Sequence, residues 1–328
     1  MLFRSLTGQS LPLHEQHPPA FRQVLEQIAV VVSLPTAPAE FHAQTRRMLA
    51  RQQRIEMERT RIRHNLSQIT RKALRIAYLQ QLSQLGNLHE YWKLLDDLYR
   101  LLNPLEPGSV LVDVGVGHGD LLRATMVNQA YRSRQRGWSP ERPVHVIGLE
   151  DSQDSLTQAR QSLRALHREL DSDFAGTLSI HPPMTTEWVH ADWTQGLPIK
   201  DHSFHRIVCN LSLPFVPSPL VAIRELYRIL HPEGRLVLTV FHPDTDLSVL
   251  YRRHLHRANQ DEFSPQAQIV LHHLGRLREA IRNGLLHTFD RSSLTSFLHQ
   301  ADILAPHILP ALNGHVLLAV IEKAKSAS

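Results

Sequence analysis

From residue 109 onward, short apolar runs alternate with stretches of helical period. The runs at 110–114, 144–149, 204–210 and 235–242 read as strands, and 188–191 as a shorter one between them. The segments 119–131, about 153–170, 217–230 and 290–300 read as the intervening helices, with Ser152 or Asp154 as the cap of the second. Two more runs, 303–309 and 315–322, read as final strands. Pro232, Glu233 and Gly234 read as a turn just before the fifth strand. This alternation is the mark of an α/β domain built on a mainly parallel sheet. A long segment, 243–288, interrupts it after the fifth strand. Val270, Leu274, Leu277 and Ile281 share one face there and Gly284 can stop a helix, so the insertion reads as helical.

The first hundred residues have a different pattern. Residues 1–20 are rich in Pro, His and Gln and read as irregular. Residues 20–32 fit a short helix closed by Pro35 and Pro38. Between 41 and 85 there is neither Gly nor Pro, and Met48, Ile55, Ile62, Ile69 and Ile76 recur every seven residues. That is a narrow apolar stripe on a long helix or helix pair, with Gly86 as its stop. Residues 88–102 fit one more helix, and Pro104 and Pro107 mark a boundary. The expected organisation is a helical region at 1–103 and an α/β domain at 104–328.

Charge changes this picture at one place. The chain of 328 residues carries a net charge of +5, yet residues 40–75 hold ten Arg/Lys against three Asp/Glu. The basic balance therefore belongs to one segment. Three readings of it stand: a solvated helical appendage, a homodimer seam, or an arm that binds RNA or a protein partner. A single cysteine, Cys209, excludes an internal disulfide and a cysteine-based zinc site, and no metal site is expected. There is no transmembrane-length apolar stretch and no signal-peptide pattern at the start, so the expectation is a cytoplasmic protein.

The candidate chemistry lies at the strand ends. The first strand ends in Asp113, followed by Gly115, Gly117 and Gly119 and a helix start. Such a turn lets backbone approach a ligand that a Cβ would block. Asp120 stands where a dinucleotide fingerprint needs its third glycine, and no Lys-Ser/Thr pair follows to make a P-loop. An acid two residues before the first glycine suits a ligand with a positive group. Glu150 ends the second strand, where a carboxylate can accept from both ribose hydroxyls. Asp192 and Trp193 end the third, where an acid can accept from an exocyclic amine and an indole can pack beside a base. Asn210 ends the fourth. Taken singly, each is an ordinary capping or solvated residue; four in register point to a ligand site at the carboxyl edge of the sheet.

With these residues in view, 109–243 resembles the class I S-adenosylmethionine-dependent methyltransferases, in particular the small-molecule and quinone-type members. The resemblance rests on Asp113 with Gly115, Gly117 and Gly119, on Glu150, on Asp192 with Trp193, on 197–216 and on 224–240. It implies a Rossmann-like, seven-stranded, mostly parallel sheet with helices on both faces and a reversed last strand. It also implies S-adenosylmethionine as cofactor, S-adenosylhomocysteine as product, and Asp113, Gly115, Gly117, Gly119, Glu150, Asp192, Trp193 and Asn210 as cofactor-binding residues. It departs at Leu213, Pro214 and Phe215, where many relatives carry two histidines, and Leu211 and Ser212 interrupt anything like an amino-group methyltransferase signature.

The expected function is methyl transfer to a small organic acceptor, apolar or ring-bearing. Two alternatives remain: an RNA or protein methyltransferase using 40–75 to hold its substrate, and a non-catalytic, methyltransferase-like regulatory or assembly protein. The helical regions at 1–103 and 243–288 are expected to build the acceptor pocket. If a general base is used, His242 is the candidate, because it follows the fifth strand directly with Asp244 two residues on.

Overall fold

Apolar runs that are hydrophobic on both faces pair with each other in the computed structural model and form one seven-stranded sheet. The structure describes residues 2–4, 10–12, 50, 53, 54, 57, 82–136, 142–180, 182–193 and 196–323. The helix expected at 20–32, nearly all of the seven-residue stripe and the basic stretch 40–75 lie outside the described residues. The chain divides into two compact units, Met1–Asn65 and Leu66–Ser328. In the first, Leu2–Arg4 and Ser10–Pro12 pair antiparallel. The second holds the sheet.

The sheet strands are β1 (Val110–Val114), β2 (Val144–Glu150), β3 (Met184–His190), β4 (Phe204–Asn210), β5 (Leu230–Phe241), β6 (His307–Ala311) and β7 (Val316–Glu322). Their spatial order is β3-β2-β1-β4-β5-β7-β6, and only β7 runs antiparallel to its neighbours. The sequence order reverses at β1, and a crevice at the carboxyl ends of β1 and β4 follows from that reversal. The helices are α1 (His89–Leu102), α2 (Asp120–Arg136), α3 (Gln153–Asp173), α4 (Pro219–Ile229), α5 (Leu247–Arg257), α6 (Pro265–Arg282) and α7 (Arg291–His299). Buried residues of α1, α2, α3, α5 and α6 form one core with Leu111, Val208 and Val237 of the sheet. Those of α4 and α7 form the other with Val112, Ile207 and Leu238. Alternation along each strand thus assigns Asp113, Asn210 and Thr239 to the first face, under α1.

α1 is tied to the sheet. It buries Tyr91, Leu94, Leu95, Leu98, Tyr99 and Leu102, each leucine contributing about 2 kcal/mol of transfer free energy. Its last carbonyls accept from sheet arginines: Leu102 from Arg206 Nε at 2.9 Å and Leu101 from Arg235 Nη1 at 2.5 Å. The insertion after β5 is helical, as α5 and α6.

Several expected boundaries shift, among them the strand expected at 303–309, which forms as β6 at His307–Ala311. α2 runs to Arg136 instead of stopping at 131, because Arg132, Ser133, Arg134 and Gln135 tolerate a helix. β3 starts at Met184 instead of 188; it is an edge strand, so Thr185, Thr186 and Glu187 need no apolar run to pair. Pro232, Glu233 and Gly234 form a bulge inside β5 rather than a turn before it, between the pairs Phe204–Leu230 and Arg206–Arg235.

Gly148 sits in the middle of β2 where the turn after β1 folds back. A Cβ there would lie 2.9 Å from Val116 Cγ2 and 3.1 Å from the Trp188 ring. Gly148→Ala is expected to destabilise the fold by about 1–3 kcal/mol by overpacking. Urea denaturation checks this, and an unchanged midpoint would show that the turn can lift away from β2 at no cost.

Candidate functional site

The site grows from the glycine turn. Gly115, Gly117 and Gly119 have φ of 73°, 57° and 84°, a region that favours glycine. The turn is held from two sides. The Gly115 and Val116 amides donate to Leu149 O at 2.8 and 3.2 Å, from the end of β2. Ser212 Oγ, just past β4, donates to Gly115 O at 2.9 Å. Gly119 also packs against α3, where an added Cβ would meet Ala159 Cβ at 3.2 Å.

Glu150 is fully buried, and its carboxylate binds the turn directly. Oε2 accepts from Gly117 N at 2.9 Å, while Oε1 accepts from the Asp151 and Ser152 amides at 3.1 and 3.2 Å. Asp113, one strand away, is 1% exposed, and its Oδ2 has no hydrogen-bond partner. Burial, with the Glu150 charge beside it, pushes the Asp113 carboxyl up to about 7. A buried, unpartnered carboxylate oxygen beside a glycine turn fits a ligand with a cationic or N–H group there.

A cleft partly open to solvent lies above these groups. Its polar lining is Tyr91, Asp113, His118, Asp120, Asn210 and Ser212, with Leu85 and Phe215 among the apolar walls. Asn210 has a fixed amide orientation. Its Oδ1 accepts from Thr239 Oγ1 at 2.7 Å, so Nδ2 is the group presented to Tyr91 Oη at 3.4 Å. Thr239 Oγ1 also accepts from Leu211 N at 2.9 Å, and Leu211 takes a left-handed φ of 52°. Burial and then the Asp120 charge raise the Tyr91 hydroxyl well above its usual range, so it is a neutral donor at all working pH values. Burial also raises Asp120, against the opposing charges of Arg123 and His118.

The structure thus brings together Asp113, Gly115, Gly117 and Asn210 at one cleft, with Glu150 reaching it through the turn. Asp192 is half-buried at the end of β3, away from the cleft lining. The Trp193 indole is 0% exposed inside the core of the opposite face, with Nε1 unpaired. His242 follows β5 directly. It does not line the cleft; its Nδ1 accepts from Asp244 N at 3.2 Å and its amide donates to His315 O. Sequence reasoning missed Tyr91, which was legible only as one member of an apolar helix stripe. Asp120 was visible as a departure from a glycine pattern but was not taken as a site residue.

Residues 112–238 match the family model described as a methyltransferase domain. This chain carries a class I S-adenosylmethionine-dependent methyltransferase domain. The methyltransferase domain has curated relatives. A ubiquinone/menaquinone biosynthesis C-methyltransferase of Methylobacterium nodulans is 29% identical over 161 residues, which is 48% of this chain and 51% of that protein. One from Caulobacter vibrioides is 26% identical over 156 residues, 48% of this chain and 52% of that one. An uncharacterized 37.1 kDa protein in transposon TN4556 of Streptomyces fradiae is 27% identical over 191 residues, 55% of this chain and 45% of that one. The chain thus spans about half the length of the curated relatives it matches. Among solved structures it is similar to a SAM-dependent methyltransferase from Aquifex aeolicus (14% identity, TM-score 0.43, covering 75% of this chain and 96% of that one). Another is the N-methyltransferase NodS from Bradyrhizobium japonicum in complex with S-adenosyl-L-homocysteine (12%, 0.43, 74% and 91%). The cofactor of the methyltransferase domain is S-adenosylmethionine. Among the described residues, no helix is long and apolar enough to cross a membrane.

The buried Asp113 yields a pH prediction. In the folded methyltransferase domain it keeps its proton up to about pH 7, whereas in the unfolded chain it loses it near pH 4. The stability this proton supplies is complete below about pH 4 and is lost as pH rises to about 7. Asp113→Asn should therefore gain stability over the wild-type chain as pH rises from 4.5 to 8, by up to about 4 kcal/mol. Urea midpoints without cofactor measure it; a difference independent of pH would mean that Asp113 is ionised and satisfied throughout.

Proposed function

We propose that this chain transfers the methyl group of S-adenosylmethionine to a small, ring-bearing organic acceptor bound over the carboxyl ends of β1, β4 and β5. The observation that carries this reading is the cleft itself. It joins the glycine turn to the end of β4 and is walled by Leu82, Leu85 and Tyr91, which confine an acceptor to a small volume. Asp113, Gly115, Gly117, Gly119, Glu150, Asp192 and Asn210 hold the donor in this reading; Trp193 supports the Asp192 loop from the core beneath. The names of the quinone C-methyltransferases similar to this chain support a ring-bearing acceptor.

Methyl transfer is an in-line displacement on a donor that is already activated, so positioning supplies much of the rate. What the chain's own residues do is hold and screen. Glu150 and Ser212 fix the turn, Leu85 and Phe215 exclude water, and the neutral Tyr91 hydroxyl offers a proton to an accepting atom in the cleft. Where the acceptor must lose a proton, His242 is the base in this reading.

Two measurements test the reading. Glu150→Gln should weaken S-adenosylmethionine binding at least about tenfold in calorimetry, because a charge-assisted acceptor is replaced by a neutral amide; unaltered binding would remove Glu150 from the site. Methyl-labelled S-adenosylmethionine incubated with the chain and a host extract should put label into the organic-soluble fraction. Label in RNA or protein would favour the reading in which 40–75 holds a macromolecular substrate. No label despite cofactor binding would favour the regulatory one.

A further inference from the structure

The cleft is unusual in its charge. Its lining includes two acidic side chains, Asp113 and Asp120, and neither lysine nor arginine. Asp113 is almost wholly buried with one oxygen unpartnered. Asp120 opens α2, and its nearest cation is Arg123, a loose pair at 3.9 Å. That guanidinium lies over the Trp92 ring at 5.6 Å to the centroid, outside the cleft lining, so it only partly offsets Asp120. Asn210 adds no positive charge, and Tyr91 Oη accepts from it. Serine, tyrosine and amide groups are neutral, and His118 is the one lining group that can carry positive charge.

A methyl donor of the sulfonium type changes its charge during the reaction. A lone pair of the acceptor forms the bond to the methyl carbon, and the electron pair of the broken carbon–sulfur bond stays on sulfur. The sulfur becomes a neutral thioether, while the positive charge passes to the acceptor or leaves it as a proton. Donor and product share the same ammonium, carboxylate and adenosine. They differ at the bond broken, by one methyl group and one charge, and a charged wall is what separates them by more than shape.

We infer that Asp120 makes this cleft a charge sensor that favours the cationic donor over its demethylated product. Asp113 keeps its proton up to about pH 7, so it contributes little to the difference. Asp120 is the added carboxylate, standing where a dinucleotide fold would place a glycine. A single ion pair at the effective dielectric of a partly buried site is enough for a tenfold preference or more. The consequence is release: once methyl transfer has removed the charge, the wall no longer holds what remains. This inference rests on the cofactor and not on the identity of the acceptor.

Calorimetry on the full chain tests it with three ligands: S-adenosylmethionine, S-adenosylhomocysteine, and a donor analogue with a protonated amine in place of the sulfonium. The wild-type chain should bind both cationic ligands at least about tenfold more tightly than the neutral product. Asp120→Asn should reduce that ratio at least fivefold while leaving product affinity within about twofold, and Asp120→Glu should restore it. Equal affinity of the wild-type chain for all three ligands would overturn the inference without any variant. So would an Asp120→Asn chain that weakens all three equally, since that is the mark of a merely structural residue. Binding of none of the three by a folded wild-type chain would overturn the donor site as well, and is thereby distinct.

Discussion

The Gly117 amide donates to a carboxylate oxygen of Glu150, and the carboxyl edge of the sheet is built around that contact. A glycine-rich turn has too little side-chain contact to fix itself. Here its amides reach Leu149 and Glu150 on one side, while its Gly115 carbonyl accepts from Ser212 on the other. The same contact puts a carboxylate in the interior beside Asp113. Taking two acids out of water at adjacent strand ends is costly, and the cost appears as an Asp113 that resists ionisation. A stable fold alone has no use for that arrangement; a cationic ligand does.

What covers this edge is α1. It belongs to the same compact unit as the sheet and is fixed at its far end by Arg206 and Arg235 from β4 and β5. Anchoring a helix at its C-terminal carbonyls leaves its first turn poised over the cleft, and Tyr91 is the residue delivered there. The Thr239–Asn210–Tyr91 chain then links two strand ends to the cover through side chains whose donor and acceptor roles are all set.

Much of the architecture was legible because sheets and helices have different periods. The strands at 110–114 and 204–210 are built on short apolar runs, and their bounds in the structure are the expected ones. Asp290 was placed at the start of its helix, and it caps α7 in a capping box with Ser293. Legibility failed where pairing rather than burial holds the chain. The first half of β3 is polar because it lies at an edge, and the Pro232–Gly234 segment stays in register through a bulge that local sequence cannot announce.

The sequence by itself determined the class of the domain and the residues of its turn, because glycines at fixed spacing and acids at strand ends are local constraints on backbone and charge. Only tertiary structure decided which side chains share a cleft. Tyr91 and Asn210 are 119 positions apart and meet through a helix laid across strand ends. Trp193 follows directly after Asp192, yet it turns into the opposite core, because the half-buried acid stays near the surface while a large indole gains most by full burial. His242 follows β5 at the expected place, and its loop hydrogen bonds hold it against Asp244 and His315. Direction of a side chain is set by packing around it, and packing is a property of the whole chain.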